Sequence, residues 1–175
     1  MRVIALHILD LIENSVRAES GRVHLILKDS KDKKTFILKD NGKGMNEEEL
    51  KTVLDPFYTT KKKKKIGLGI PLTRQSILQC NGIFNIESKK GTGTTITLTY
   101  PKKNIDCPPT GDILRTISTS IIAHPTIDFL LSFQEEENIL VDTTFLNLEE
   151  RKALKIKDLY EYISEAFVEI DWNGF

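Results

Sequence analysis

Leu38-Lys39-Asp40-Asn41-Gly42-Lys43-Gly44-Met45 is the stretch on which the fold turns. The run Thr35 to Lys39 leads into it and alternates like a half-buried strand, so the strand ends on a carboxylate. Glycines two and four positions after Asp40 let the backbone turn tightly and come close to a ligand. A carboxylate placed there can accept a hydrogen bond from an exocyclic amino group, which is one way to read adenine. Asp-Asn-Gly is also ordinary turn chemistry, and a plain strand-ending turn is the alternative.

Upstream, Ile4, Ile8, Leu11 and Ser15 fall at helical spacing and predict a helix over residues 4–18. Asp10 and Asn14 lie four apart on it and so emerge on one face. One is a carboxylate able to hold a water; the other is a neutral amide whose oxygen can ligate a hard cation. An exposed polar helix face is the plain reading of the same pair. Val23 to Lys28 alternates as a strand and is joined to the next strand by the polar turn Asp29 to Lys34.

Downstream, Gly67-Leu68-Gly69 leads into a second helix running roughly from Pro71 to Cys80, with Asn81-Gly82 as its stop. Glycines at a helix N-terminus expose backbone N–H groups where the dipole favours an anion, which suits phosphates; a hinge without a ligand is the alternative. Thr59, Thr60 and five consecutive lysines, Lys61 to Lys65, place hydroxyls and cations beside that point. Most of such a run is solvated loop, and Lys61 is the first candidate to meet a phosphate. Ile83 to Ser88 and Thr94 to Tyr100 form a hairpin around Lys90-Gly91-Thr92-Gly93. This order of helices and antiparallel strands gives an α/β (α+β) two-layer sandwich with a mixed, mainly antiparallel sheet.

Pro108, Pro109 and Gly111 then break the pattern and divide the chain into a main domain, residues 1–101, and a C-terminal α/β extension, residues 102–175. The extension reads as a helix from Asp112 to Ala123, a hairpin of Thr126–Phe133 and Asn138–Asp142, and one last helix. Asn147 and Glu150 form a capping-box pair at the start of that helix. Leu159, Ile163 and Phe167 should face the core, as should Ile127, Phe129, Leu131 and Phe133. Trp172 is a candidate partner contact or a packing residue.

Bulk composition narrows the field. Twenty-five basic and 25 acidic residues cancel, so no overall field points to nucleic acid or an acidic membrane surface. No apolar stretch is long enough to span a bilayer, and Met1 leads into the helix without a signal-peptide pattern. A cytoplasmic location is expected. Cys80 and Cys107 are expected as reduced thiols, and two cysteines alone make no zinc site.

Taken together, five segments in fixed order are far more specific than any one: Asp10 to Glu19, Leu38 to Met45, Asp55 to Lys61, Ile66 to Ile70 and Gly91 to Thr97. They resemble the N box, first glycine box, F box, second glycine box and closing hairpin of the GHKL superfamily, the Bergerat ATP-binding fold. Histidine-kinase catalytic domains, MutL proteins, gyrase B and Hsp90 share that fold. The resemblance covers roughly residues 1–101 and implies ATP (and ADP) with Mg²⁺. It implies Asn14 as the Mg²⁺ ligand and Asp40 as the adenine-reading carboxylate. Gly42, Gly44 and Met45 would shape the base pocket. Thr60, Lys61, Gly67, Leu68 and Gly69 would serve the phosphates, Phe57 would anchor the segment before the lid, and Thr95 belongs to the closing hairpin that borders the nucleotide.

Four residues before the asparagine, MutL, gyrase B and Hsp90 carry a glutamate as general base; here the position holds Asp10, one methylene shorter. The run Pro56 to Gly69 is instead most similar to a sensor histidine kinase with a short lid. The chain as read starts at the N box, so a stand-alone bacterial protein without a phosphoacceptor domain is expected. His7, His24 and His124 lack the acidic neighbour typical of a phosphoacceptor. Three readings follow in order: a slow Mg²⁺-ATPase or ATP-driven switch using Asp10; a kinase acting in trans on a partner's histidine or serine; a non-hydrolysing sensor. In each, the extension is expected to present a surface to a protein partner.

Overall fold

Ile4, Ala5, Ile8, Leu11 and Ile12 form one apolar stripe, and all are buried along helix α1, Ile4–Arg17. The computed structural model describes residues 3–54 and 69–169. After α1 come strands β1, Arg22–Asp29, and β2, Lys33–Asp40, then helix α2, Glu47–Leu54, and helix α3, Gly69–Gln79. Strands β3, Ile83–Lys89, and β4, Gly93–Pro101, form the next hairpin. Helix α4, Ile113–Ala123, strands β5, Asp128–Phe133, and β6, Ile139–Asp142, and helices α5, Leu148–Ala153, and α6, Ile156–Glu169, complete the described chain.

The six strands make one sheet in the order β3-β4-β2-β1-β5-β6. Among the described residues only the β1–β5 pair is parallel, so the sheet is mixed and mainly antiparallel. Register puts every second residue on one face: Leu131, Leu25, Leu38 and Ile96 lie in one row across four strands. Phe133, Leu27, Phe36 and Leu98 form the adjacent row. These rows and the apolar stripes of α1, α3, α4 and α6 form one buried cluster, the single core of a two-layer sandwich.

The expected C-terminal elements therefore add to the sheet itself: β5 pairs with β1, and α4 packs on both α1 and α6. Leu159, Ile163 and Phe167 are buried, and Phe167 meets Phe133 edge-on, with ring centroids 6.2 Å apart. Trp172 lies outside the described residues.

Two elements differ from expectation. The sequence pattern predicts no helix over residues 47–54, yet Asn46 accepts from the Glu49 N–H and Glu49 accepts from the Asn46 N–H, a capping box that starts α2. The single last helix is two. Asn147 and Glu150 do form the expected capping box, but Leu154 turns extended at ψ 137°. Helix α5 buries no residue, whereas Leu154 and α6 pack on the core, so the chain has to change direction between them. Arg151 fixes the bend by donating to the Leu146 and Ile127 carbonyls and to Asp128 Oδ1 at 2.7 Å.

The Pro/Gly segment after β4 is tied down. The N–H groups of Ile4 and Ala5, left unpaired by the helix itself, donate to the Pro109 and Thr110 carbonyls at 2.9 and 2.8 Å. Both cysteines are free thiols. No helix among the described residues is long and apolar enough to cross a membrane.

Candidate functional site

The sharp turn after β2 is built by two backbone contacts too close for any side chain. A Cβ at Gly44, where φ is +59°, would stand 2.0 Å from the Lys89 carbonyl oxygen. One at Gly93, where φ is +121°, would stand 1.9 Å from the Asp40 carbonyl oxygen. Glycine is required at both. The Met45 N–H donates to Ser88 Oγ and the Gly91 N–H to the Lys43 carbonyl, so the β2 turn and the β3–β4 hairpin are stitched together. Gly42 sits against α1, where a Cβ would meet the Ala18 carbonyl oxygen at 2.7 Å.

Between these turns, α1 and the sheet lies a cavity of about 220 Å³. Asp40, Lys43, Gly44 and Met45 form one wall, and Leu11, Asn14 and Arg17 of α1 form another. Val53 of α2, Ile70 of α3 and Thr94 and Ile96 of β4 close it. One oxygen of Asp40 accepts from Ser15 Oγ and the other from the Gly42 N–H, each at 2.9 Å. Both bonds fix the plane of the carboxylate and leave lone pairs over for a donor in the cavity.

Asn14 also lines the cavity, and its buried Nδ2 has no hydrogen-bond partner among the described residues. Leaving such a group unpaired is costly unless something else meets it. Gly69, the first residue of α3, stands at the same point: a Cβ there would lie 3.0 Å from Asp10 Cβ and 3.4 Å from Asn14 Nδ2. Thus Asp10, Asn14 and the N-terminal end of α3 converge. Thr73 of α3 contacts His7 Nδ1 at 3.0 Å, fastening that helix to α1.

The structure brings together Asn14, Asp40, Gly44 and Met45 around the cavity, with Gly42 beneath Asp40 and Asp10 beside Gly69. Thr95 is not among them. Strand alternation points it to the opposite face of the sheet and puts Thr94 in the cavity instead. Thr60, Lys61, Gly67, Leu68 and Phe57 lie outside the described residues. Sequence reasoning missed Ser15, Arg17, Val53 and Thr94. Arg17, three residues after Asn14 on the same helix face, could have been found from spacing. Val53 could not, because α2 buries none of its residues and so shows no apolar stripe.

The sequence family described as histidine kinase-, DNA gyrase B- and HSP90-like ATPase matches residues 3–104. Sporulation kinase A of Bacillus subtilis is 32% identical over 97 residues, which is 54% of this chain and 16% of the kinase. Sporulation kinase D of the same organism is 35% identical over 97 residues, 54% of this chain and 19% of the kinase. The chain thus spans less than a fifth of those relatives' length. Among solved structures, the Aquifex aeolicus MutL ATPase domain complexed with ADP superimposes with a TM-score of 0.58. That match has 15% identity and covers 94% of this chain and 70% of the other. The N-terminal domain of a DNA repair protein gives a TM-score of 0.60 at 14% identity, over 86% of this chain and 56% of that one. A likeness over 94% of the chain extends past residue 104, so the C-terminal elements share in the fold.

Proposed function

Since the chain belongs to the histidine kinase-, DNA gyrase B- and HSP90-like ATPase family, we propose that it binds ATP with Mg²⁺ and hydrolyses it slowly, as a conformational switch. The observation that carries this reading is the Asp40 carboxylate, held at the cavity wall by Ser15 and the Gly42 N–H. An adenine amino group donating to it would replace water in a site otherwise walled by Leu11, Met45, Val53, Ile70 and Ile96. At about 220 Å³ the cavity is smaller than the ~300–1,000 Å³ of a whole-ligand pocket, which suits the base rather than the full nucleotide.

The base so placed would direct its phosphates toward Asn14 and the start of α3, whose backbone N–H groups favour an anion. Asn14 would ligate Mg²⁺ through its amide oxygen, since such an ion needs few protein groups beside phosphates and water. Its Nδ2–H, without a partner among the described residues, would donate to a phosphate oxygen. Bound there, Mg²⁺ would neutralise phosphate charge and polarise the terminal phosphoryl group. Asp10, one helical turn before Asn14, would hold the attacking water and take its proton. Arg17 and Lys43 supply the positive charge at the cavity rim.

Similarity to the sporulation kinases favours a second reading, in which the phosphoryl group passes to a partner protein and Asp10 is not a base. Nucleotide binding and turnover by the purified chain separate the two. Under the first reading, Asp40→Asn weakens ATP binding by tenfold or more, about the worth of a charge-assisted hydrogen bond. Asp10→Asn and Asn14→Ala then each abolish phosphate release. ATP binding without any turnover by the wild-type chain removes the hydrolytic reading, and unchanged affinity in Asp40→Asn removes the adenine assignment.

A further inference from the structure

A second cavity, of about 420 Å³, lies at the opposite end of α1 and shares no lining residue with the first. It opens between the start of β2, the end of β4 and the segment that caps α1. Its volume falls in the ~300–1,000 Å³ range of small-molecule sites. Among the described residues, two lysines, Lys34 and Lys102, line it and no carboxylate does. Lys34 Nζ donates to Thr110 Oγ1 at 3.3 Å. The nearby Asp29 is engaged by Lys102 at 2.5 Å and also faces Lys34 across the β1–β2 pair. The rest of the wall is apolar or neutral: Ile4, Pro101, Pro108 and Pro109, with Tyr100 and Cys107.

We infer that this cavity binds a small organic carboxylate, its charged head on Lys34 and Thr110 and its apolar body against Ile4 and the prolines. The charges favour it. Burial lowers the proton affinity of the Lys34 ammonium, Asp29 only partly restores it, and the Lys102 charge lowers it again. An anion beside Lys34 offsets both unfavourable effects. Beside the two lysines, the wall adds no negative charge, because burial and the neighbouring Cys80 push the Cys107 thiol and the Tyr100 phenol above their ordinary values. Tyr100 is 2% exposed, and its hydroxyl has no hydrogen-bond partner among the described residues.

The test is an NMR titration of the full chain with sodium benzoate, using benzyl alcohol and sodium phosphate as the uncharged and inorganic counterparts. Benzoate is expected to give saturable shifts at Lys34, Tyr100 and Thr110 with a Kd of about 1 mM or tighter. Benzyl alcohol and phosphate should bind at least about tenfold more weakly, the former lacking the charge-assisted bond and the latter the apolar contact. Lys34→Met is expected to weaken benzoate by about tenfold, and Thr110→Val by several-fold. Thr110→Val keeps the test decisive should Lys34→Met fail to fold. Absence of saturable benzoate shifts at these residues overturns the inference. So does benzyl alcohol binding as tightly as benzoate, phosphate binding as tightly as benzoate, or benzoate affinity unchanged in the folded variants.

Discussion

The two ends of the sheet are held together by different forces. Where β2, β3 and β4 meet the first cavity, backbone lies on backbone: Gly44 against Lys89 and Gly93 against Asp40 leave no room for a Cβ. At the other end, β5, β6, α4 and α6 are held by apolar side chains such as Leu131, Ile121 and Ile163, all at most 2% exposed. The first kind of contact fixes atoms to a fraction of an ångström and tolerates almost no substitution. The second buries area, responds to volume, and accepts shape-conserving exchanges. A site that must aim a carboxylate and an amide uses the first; the elements that complete the core use the second.

The largest effect that could break this contrast is Gly44→Val. It introduces a β-branched residue at positive φ into a 2.0 Å backbone contact, and a loss of more than about 4 kcal/mol in urea denaturation is expected. A mild effect would mean the turn can open, and the rigid half of the comparison would fail. Ile163→Ala, at a fully buried position of α6, is expected to cost about 3 kcal/mol. Fluorescence and circular dichroism should then still report one cooperative transition, because α6 and α1 share a core. Two separate transitions would show the C-terminal elements unfolding alone.

Asn147→Ala removes the side chain that accepts from the Glu149 and Glu150 N–H groups and should cost about 1 kcal/mol, without moving nucleotide affinity. Smallest is a pH effect on the open face of the sheet. His24 Nε2 lies 2.7 Å from Ser132 Oγ, and burial holds the His24 imidazole below its ordinary value of 6.5 despite nearby Glu136. The neutral form is favoured in the folded state, so stability is full above pH 6.5 and falls as pH drops through it. His24→Gln should flatten the stability profile between pH 7 and pH 5 by about the same small amount. An equally steep profile in the variant would assign the effect to another group.

How much was legible beforehand depended on the range of the signal. The β2 turn was readable because Asp40, Gly42 and Gly44 announce a backbone requirement that no neighbour is needed to explain. Helix α1 was readable from a 3.6-residue stripe. Helix α2 carried the same Asn-x-x-Glu signal at Asn46 and Glu49 that was recognised at Asn147, but it is short and buries none of its residues, so no apolar periodicity accompanied it. The break at Leu154 was invisible because local propensity favours helix there, and only the direction of the core opposes it. Thr94 rather than Thr95 lines the cavity because a motif fixes a strand's position, whereas the pleat decides which of two adjacent threonines faces inward.

The sequence alone determined the family, the order of elements apart from α2 and the α5–α6 break, and the residue types of the β2 turn, since each rests on spacing within a few residues. Tertiary structure decided that Ser15 and the Gly42 N–H orient Asp40 and that Asp10 and Asn14 meet the start of α3. It also decided that β5 extends the same sheet through β1, and that Lys34 and Lys102 share the wall of a second cavity. Each of these joins residues far apart in the chain. Such contacts depend on how helices and strands pack in three dimensions, and no local pattern of side chains encodes that geometry.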